Sequence, residues 1–283
     1  MKVLKNIWDE FVYGGHLQCL GAVSITYITG FFLNINLQLD SLIISYFLSY
    51  PIYIFNRWKE IEIDSITNLE RTVHFRKYIN KIPLIFYFSI IILLLTLLFF
   101  GNLNTLIFGM ILLFFGILYT THFKKITRVI PLFKNMCVAL SFTLLIFFAI
   151  TYHGVSLQEI NKNILLFLII FIFSKAFLMQ ILLDLKDVEG DKIEKLKTLS
   201  VLIGKEKTLS ILKLYSPIIT FFIVSFFYLL EPSMPISIFV FLFTIPFNLY
   251  SFKLIQKKYS GYILGSSEFL LWGLLIFGSK SIL

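Results

Sequence analysis

The sequence predicts an all-α integral membrane protein of nine transmembrane helices bundled around a central cavity, and three observations carry that prediction. Of 283 residues, 58% are hydrophobic and 14% are charged, whereas soluble domains carry about a quarter charged residues. The mean hydropathy is +0.87. Apolar runs recur at close to the twenty residues a helix needs to cross about 30 Å of hydrocarbon, twice the length of a barrel strand.

Residues 1–15 carry Lys2, Lys5, Asp9 and Glu10 and lack both the short apolar core and the small-residue cleavage site of an export signal, so the first span is expected to stay. The spans follow at roughly 16–35, 38–57, 82–101, 103–121, 132–152, 163–184, 209–230, 234–252 and 262–282. They use up nearly the whole chain, which leaves a single transmembrane domain over 1–283. Cys19 and Cys137 fall inside spans and lack metal-ligand neighbours, so both read as packing residues.

Lys and Arg gather in alternate connections: in the N-terminal segment and in 58–81, 122–134, 185–208 and 253–258. Cytoplasmic loops retain such residues. The alternation predicts a cytoplasmic N-terminus and a C-terminus on the outer side. It also accounts for the net charge of +9, so nucleic acid is not implied. The two long charged loops after the second and sixth spans hint at a duplicated plan.

Both of those loops begin with an acidic face. Asp184, Asp187 and Asp191 recur at i, i+3 and i+7, which places them within about 60° of one another on a helix. Crowded carboxylates repel unless a cation shares the site. Oxygen-only ligands suit a hard ion such as Mg²⁺, which keeps some waters and also takes phosphate oxygens. In "NRWKEIEID", Asn56, Glu60 and Asp64 recur at i, i+4 and i+8, over an arc of about 80°. Both clusters stand at the same end of even-numbered spans, so folding can make them opposite walls of one cavity. An anion with two phosphates, bridged to both walls by Mg²⁺, fits that arrangement better than a lone metal.

The bland alternative for the run from Asp187 to Lys195 is a solvated loop with local ion pairs, and Asn56 alone reads equally as a helix cap. Two clusters on one side favour a site. Glu62 points away from the Asn56 face and reads as solvated; Glu268 is either an interfacial carboxylate or a cavity group. Of the cations, Arg71, Lys124, Lys125, Lys134 and Lys192 all serve topology, and a subset can clamp diphosphate oxygens. Lys175 differs, lying roughly 13 Å up the sixth span from Asp184. A charge at that depth faces a cavity or a partner.

"DLKDVEGDKIEKLKTLSVLIG" resembles the second signature of the UbiA superfamily of intramembrane prenyltransferases: Asp184, Asp187, Gly190, Asp191, Thr198, Leu199, Val201 and Gly204 match, with Ser200 in place of Pro. "NRWKEIEID" is similar to the first signature, with Asn56 and Asp64 kept, Arg57 standing where the family has its second-position Asp, and Glu60 replacing the central Asp. Arg71 matches an Arg that commonly follows. The resemblance covers essentially the whole chain. It implies a helical bundle around a central cavity, two Mg²⁺ ions, and an isoprenyl diphosphate whose tail lies in a lipid-facing tunnel. It implies metal binding by Asn56, Glu60, Asp64, Asp184, Asp187 and Asp191. Diphosphate contacts are implied for the basic loop from Tyr119 through Lys124 and Lys125 to Lys134; Arg71 and Lys192, by their charge, and Lys175, by its depth, are further candidates.

The expected activity is transfer of a prenyl group, an alkyl group larger than methyl, to a lipophilic or aromatic acceptor. "GGHLQCLGAVSITY" in the first span offers only His16 and Gln18 as sizeable polar groups. It lacks the basic residue associated with a benzoate acceptor, so a lipid or an internal double bond is the better expectation. Two other readings compete: a UbiA-type terpene cyclase, which needs no acceptor, and a cation-binding transporter. Transporters place such groups near the midplane, whereas these carboxylates gather at the ends that open to the cytoplasm, which favours an enzyme.

Overall fold

The computed structural model describes residues 2–280. The expected end of the ninth span at 282 and the predicted outer position of Leu283 lie outside the described residues. Every described element is helical, and each of the nine apolar stretches forms helix. In lipid the backbone must satisfy its own hydrogen bonds, and a helix does so within one segment.

The chain opens with α1 (Lys2–Tyr13), whose exposed Val3, Leu4, Ile7 and Trp8 line one side. α2 (His16–Phe32) and α3 (Leu39–Lys59) follow, then two short helices, α4 (Ile61–Thr67) and α5 (Leu69–Arg76), in the charged connection. α6 (Ile82–Phe100) and α7 (Leu103–Leu118) come next. α7 continues through a π-helical turn, Tyr119–Phe123, into α8 (Lys124–Ile126). α9 (Phe133–Tyr152) and the 32-residue α10 (Lys162–Ile193) precede α11 (Leu199–Ile203) and α12 (Lys205–Leu230). A 3₁₀ stretch, Ile236–Phe243, leads into α13 (Thr244–Ile255), and α14 (Ser260–Ser266) bends into α15 (Glu268–Lys280).

Six of the described helices are long and apolar enough to cross a membrane, and the pair α14–α15, bent by 51°, makes up to seven. The expected count of nine exceeds this because α2 and α3 are not in that set. α2 has 17 residues, and α3 carries Ser41, Ser45, Ser49 and Pro51. Both are inner helices: α2 packs between α3, α9 and α15, and α3 against α6 and α7. Packed among other helices, they meet each other's polar groups, as where Thr26 and Ser45 hydrogen-bond at 2.8 Å. The outer helices follow the opposite rule. α6 exposes Leu84, Phe88, Ile91 and Leu95, the side chains that suit contact with lipid tails.

The bundle is filled at one end and hollow at the other. Phe32, Phe167, Phe171, Phe241 and Trp272 interlock with ring centroids 4.6–6.1 Å apart, closing the end away from the charged loops. From Phe171 to Asp184, α10 rises about 20 Å, and there the packing gives way to cavities. α10 does not stop with its apolar stretch at 184. It runs on to Ile193 and carries all three aspartates off the end of the bundle on one continuous helix.

Candidate active site

The two acidic faces meet across one cavity of about 100 Å³, lined by Asn56, Glu60 and Asp64 on one wall and Asp184, Asp187 and Asp191 on the other. Gly190 sets how closely the walls approach. A Cβ there would come within 2.9 Å of Ile63 Cγ2 on α4, closer than real Cβ contacts allow, so any larger residue would push the walls apart. The tail of the same motif folds back beneath the wall. Ser200 Oγ donates to the Asp184 carbonyl at 3.1 Å, and Gly204 closes the turn with φ +88°, a conformation that favours glycine.

On the first wall, Asp64 accepts from Arg71 Nη2 at 2.5 Å and pairs with Arg57 Nη1 at 3.4 Å. Burial pushes the Asp64 carboxyl up, but Arg57 and Arg71 more than offset this and hold it below the ordinary carboxylate range. Glu60 pairs with Lys124 Nζ at 2.6 Å and accepts from Asn56 Nδ2 at 3.1 Å. On the second wall, Lys134 Nζ lies 2.9 Å from Asp184 and 2.8 Å from Asp191. Asn135 Nδ2 donates to Asp184 at 2.7 Å. Asp187 accepts from Asn68 Nδ2 at 2.7 Å, with Lys186 Nζ at 3.8 Å.

Local structure explains how the lysines arrive. The π-helical turn after α7 leaves Tyr119 and Lys124 lining the cavity, a use of π-bulges that recurs at functional sites. Beyond it, the connection is tied to the one after α10: Leu132 N donates to Lys197 O at 3.1 Å, Lys197 N to Thr127 O at 3.0 Å, and Arg128 Nε to Glu194 O at 2.9 Å. Thr127 Oγ1 accepts from the Lys134 backbone N–H at 2.9 Å. Lys134 thus starts α9 facing the aspartates.

Three of the residues expected to contact the diphosphate stand elsewhere. Lys125 is exposed because Lys124 takes the inward position of that turn. Lys192 points outward and pairs with Glu189 at 3.1 Å. Lys175 lies deeper, 2.7 Å from Glu268 and 3.0 Å from Thr220 Oγ1. It lines neither this cavity nor the chamber beside it. The pair also shows Glu268 to be an interior carboxylate and not an interfacial one.

Other groups at the site escaped the sequence reading. Asn68 continues the four-residue recurrence of Asn56, Glu60 and Asp64, and that periodicity was the available signal. It donates to Asp187 and, at 3.4 Å, to Asp64, and accepts from Lys186 at 2.9 Å, so it links both walls. Lys186 gave no such signal, because its contact depends on Asn68, 118 residues away. Glu194 shares Lys124 at 2.6 Å.

A second, apolar chamber of about 230 Å³ adjoins the polar cavity, lined by Leu48, Ile52, Leu112, Val138, Phe142 and Leu145. Asn56, Arg57, Tyr119, Gln180, Leu183 and Lys186 line both. The arrangement is a polar, doubly charged pocket opening onto an oily one.

Among the described residues, no three His, Cys, Asp or Glu side chains are grouped to hold one metal ion by themselves. The donor set nonetheless fits Mg²⁺, which is commonly bound through one or two carboxylates together with waters and substrate phosphates and does not need an all-protein cage.

Fold and site together define a bundle of long apolar helices with two facing acidic walls at one end. The profile of the UbiA prenyltransferase family matches residues 20–272, and the chain belongs to that family. Solved structures agree in fold. A UbiA homologue from Archaeoglobus fulgidus bound to GPP and Mg²⁺ is 18% identical, with TM-score 0.65, over 95% of this chain and 99% of that one. A UbiA homologue from Aeropyrum pernix K1 is 11% identical, with TM-score 0.65, over 93% and 98%. A digeranylgeranylglyceryl phosphate synthase is 19% identical, with TM-score 0.53, over 98% and 95%. No curated protein sequence matches the chain.

Proposed function

We propose that this protein is a Mg²⁺-dependent intramembrane prenyltransferase that moves an isoprenyl group from an isoprenyl diphosphate to a lipophilic acceptor. One observation carries the reading: the cavity walled by both acidic clusters opens directly onto an apolar chamber. A molecule with a diphosphate head and a hydrocarbon tail has that same division. The Archaeoglobus homologue binds such a molecule, GPP, with Mg²⁺.

The whole chain, with all nine apolar helices counted as spans, forms the transmembrane domain. The N-terminus is cytoplasmic, the C-terminus outside, and the polar cavity opens to the cytoplasmic side, as the Lys and Arg alternation supports. In this reading Asn56, Glu60, Asp64, Asp184, Asp187 and Asp191, which line one cavity, would hold the metal and the diphosphate. The resemblance implies two ions. Bound Mg²⁺ would supply positive charge against the diphosphate as the allylic C–O bond breaks. Lys124, Lys134 and Arg71 add fixed charge to the leaving group, which is preorganised stabilisation in a site poor in water. The chamber residues would keep water from the allylic cation, and Phe142 and Tyr119 are aromatic side chains in that lining. An acceptor carbon or oxygen then bonds to the cation and gives up a proton.

The test is to incubate purified protein with Mg²⁺ and prenyl diphosphates of several lengths, with and without membrane lipid extract, and identify the products. Prenylated lipid formed only with extract is the expected result. Cyclic or rearranged hydrocarbon formed without extract would mean a cyclase, and no consumption of any donor would remove the enzyme reading.

A further inference from the structure

We infer that the two walls divide the work. One Mg²⁺ ion binds at Asp184, Asp187 and Asp191, and on the facing wall the Arg57 guanidinium, together with Arg71, binds the diphosphate oxygens directly in place of a second ion. The inference rests on the prenyl-diphosphate reading.

The two walls differ in net charge. Glu60 and Asp64 stand against Arg57, Arg71 and Lys124, so cations outnumber carboxylates there. Adding Glu194, which shares Lys124, only brings that wall to balance. On the other wall, Asp184, Asp187 and Asp191 have Lys134 and Lys186, which leaves negative charge uncompensated. A divalent cation is drawn to the wall with surplus carboxylate. A diphosphate anion is drawn to the wall without it.

Arg57 is not committed to Asp64. Asp64 already has Arg71 at 2.5 Å and Asn68 at 3.4 Å, while the Arg57 contact is a long 3.4 Å. The Nε atoms of Arg57 and Arg71 are both buried without a hydrogen-bond partner, although an unmet buried donor is costly. Arg71 itself is only 4% exposed. The Arg57 guanidinium lies over the Tyr53 ring at 4.7 Å, which fixes its plane. Both arginines line the apolar chamber, and Arg57 also lines the polar cavity, so it stands at the junction where the diphosphate of a molecule with its tail in that chamber must sit. A planar fork of N–H donors held at such a point suits phosphate oxygens. An Asp at position 57 would have turned the first wall acidic as well, and Arg reverses it.

The experiment counts ions. Wild-type protein in nanodiscs is titrated with Mn²⁺ in the presence of geranyl S-thiolodiphosphate, which resists ionisation, and bound Mn²⁺ is read by electron paramagnetic resonance. One Mn²⁺ per chain without spin coupling is expected; two coupled ions would overturn the inference and leave the prenyl-diphosphate reading standing. In the same assay Arg57→Gln should bind the thiolodiphosphate about tenfold more weakly or worse, with Mn²⁺ binding in its absence unchanged and Arg57→Lys recovering part of the loss. Wild-type affinity in Arg57→Gln would overturn it too. Failure of the wild-type protein to bind the thiolodiphosphate at any Mn²⁺ concentration would overturn both this inference and the reading beneath it.

Discussion

Asp184 and Glu268 are equally buried, 4% exposed each, and each has a lysine ammonium within 3 Å. Their surroundings differ. Glu268 meets one cation, Lys175, which Thr220 also holds, and neither member of the pair lines the polar cavity or the apolar chamber. Asp184 shares Lys134 with Asp191, stands beside Asp187, and faces open space. The first is a closed pair that joins α10 and α15, with α12 contributing Thr220. The second is an unbalanced cluster that asks for a further cation. Buried charge therefore does not by itself mark a site in this bundle; surplus charge beside a cavity does.

The contrast predicts how each place responds when disturbed, in descending effect on turnover per folded molecule. Removing divalent metal with a chelator should reduce diphosphate release to background, and added Mg²⁺ should restore it. Glu60→Gln should lower the rate about tenfold, because it strands Lys124 against a neutral amide, whereas Glu60→Asp should stay within a few-fold of wild type because a carboxylate remains. Both are read as release rates at equal protein. If Glu60→Gln behaves as wild type, Glu60 is no part of the machinery. Lys175→Met should leave turnover per folded molecule within about twofold while destabilising the protein by roughly 3 kcal/mol, since Glu268 is left buried and unpaired. The double change Lys175→Met with Glu268→Leu should recover most of that stability in a thermal-shift assay. A loss of Mg²⁺-dependent turnover in the well-folded double variant would instead join the pair to the site.

The sequence showed much of this because lipid leaves few choices. Apolar runs of span length had to be helices, and their ends were legible from Lys and Arg. The facing clusters were legible because a helix repeats every 3.6 residues, so Asp184, Asp187 and Asp191 had to share a side. What stayed hidden depends on tertiary contact. Nothing near Lys175 in sequence announces Glu268. The choice between Lys124 and Lys125 rests on a π-helical turn that composition does not signal. Asn68 was within reach, as the next step of a recurrence already found. The span count differs for a physical reason: α2 and α3 are packed among other helices, so their composition is freer than that of lipid-facing α6.

The decisive comparison is between the wall and its neighbour on the same helix. Asp184→Asn, Asp187→Asn and Asp191→Asn each keep size while removing a charge, and Glu189→Gln does the same at a residue that is exposed and paired only with Lys192. Mg²⁺-dependent release of diphosphate from whichever prenyl diphosphate the wild type uses is measured for all four at equal folded protein. The three aspartate variants should fall by about a hundredfold or more, with Glu189→Gln close to wild type. Aspartate variants that turn over as fast as Glu189→Gln would show that the acidic wall is a solvated helix end and that the diphosphate does not react there.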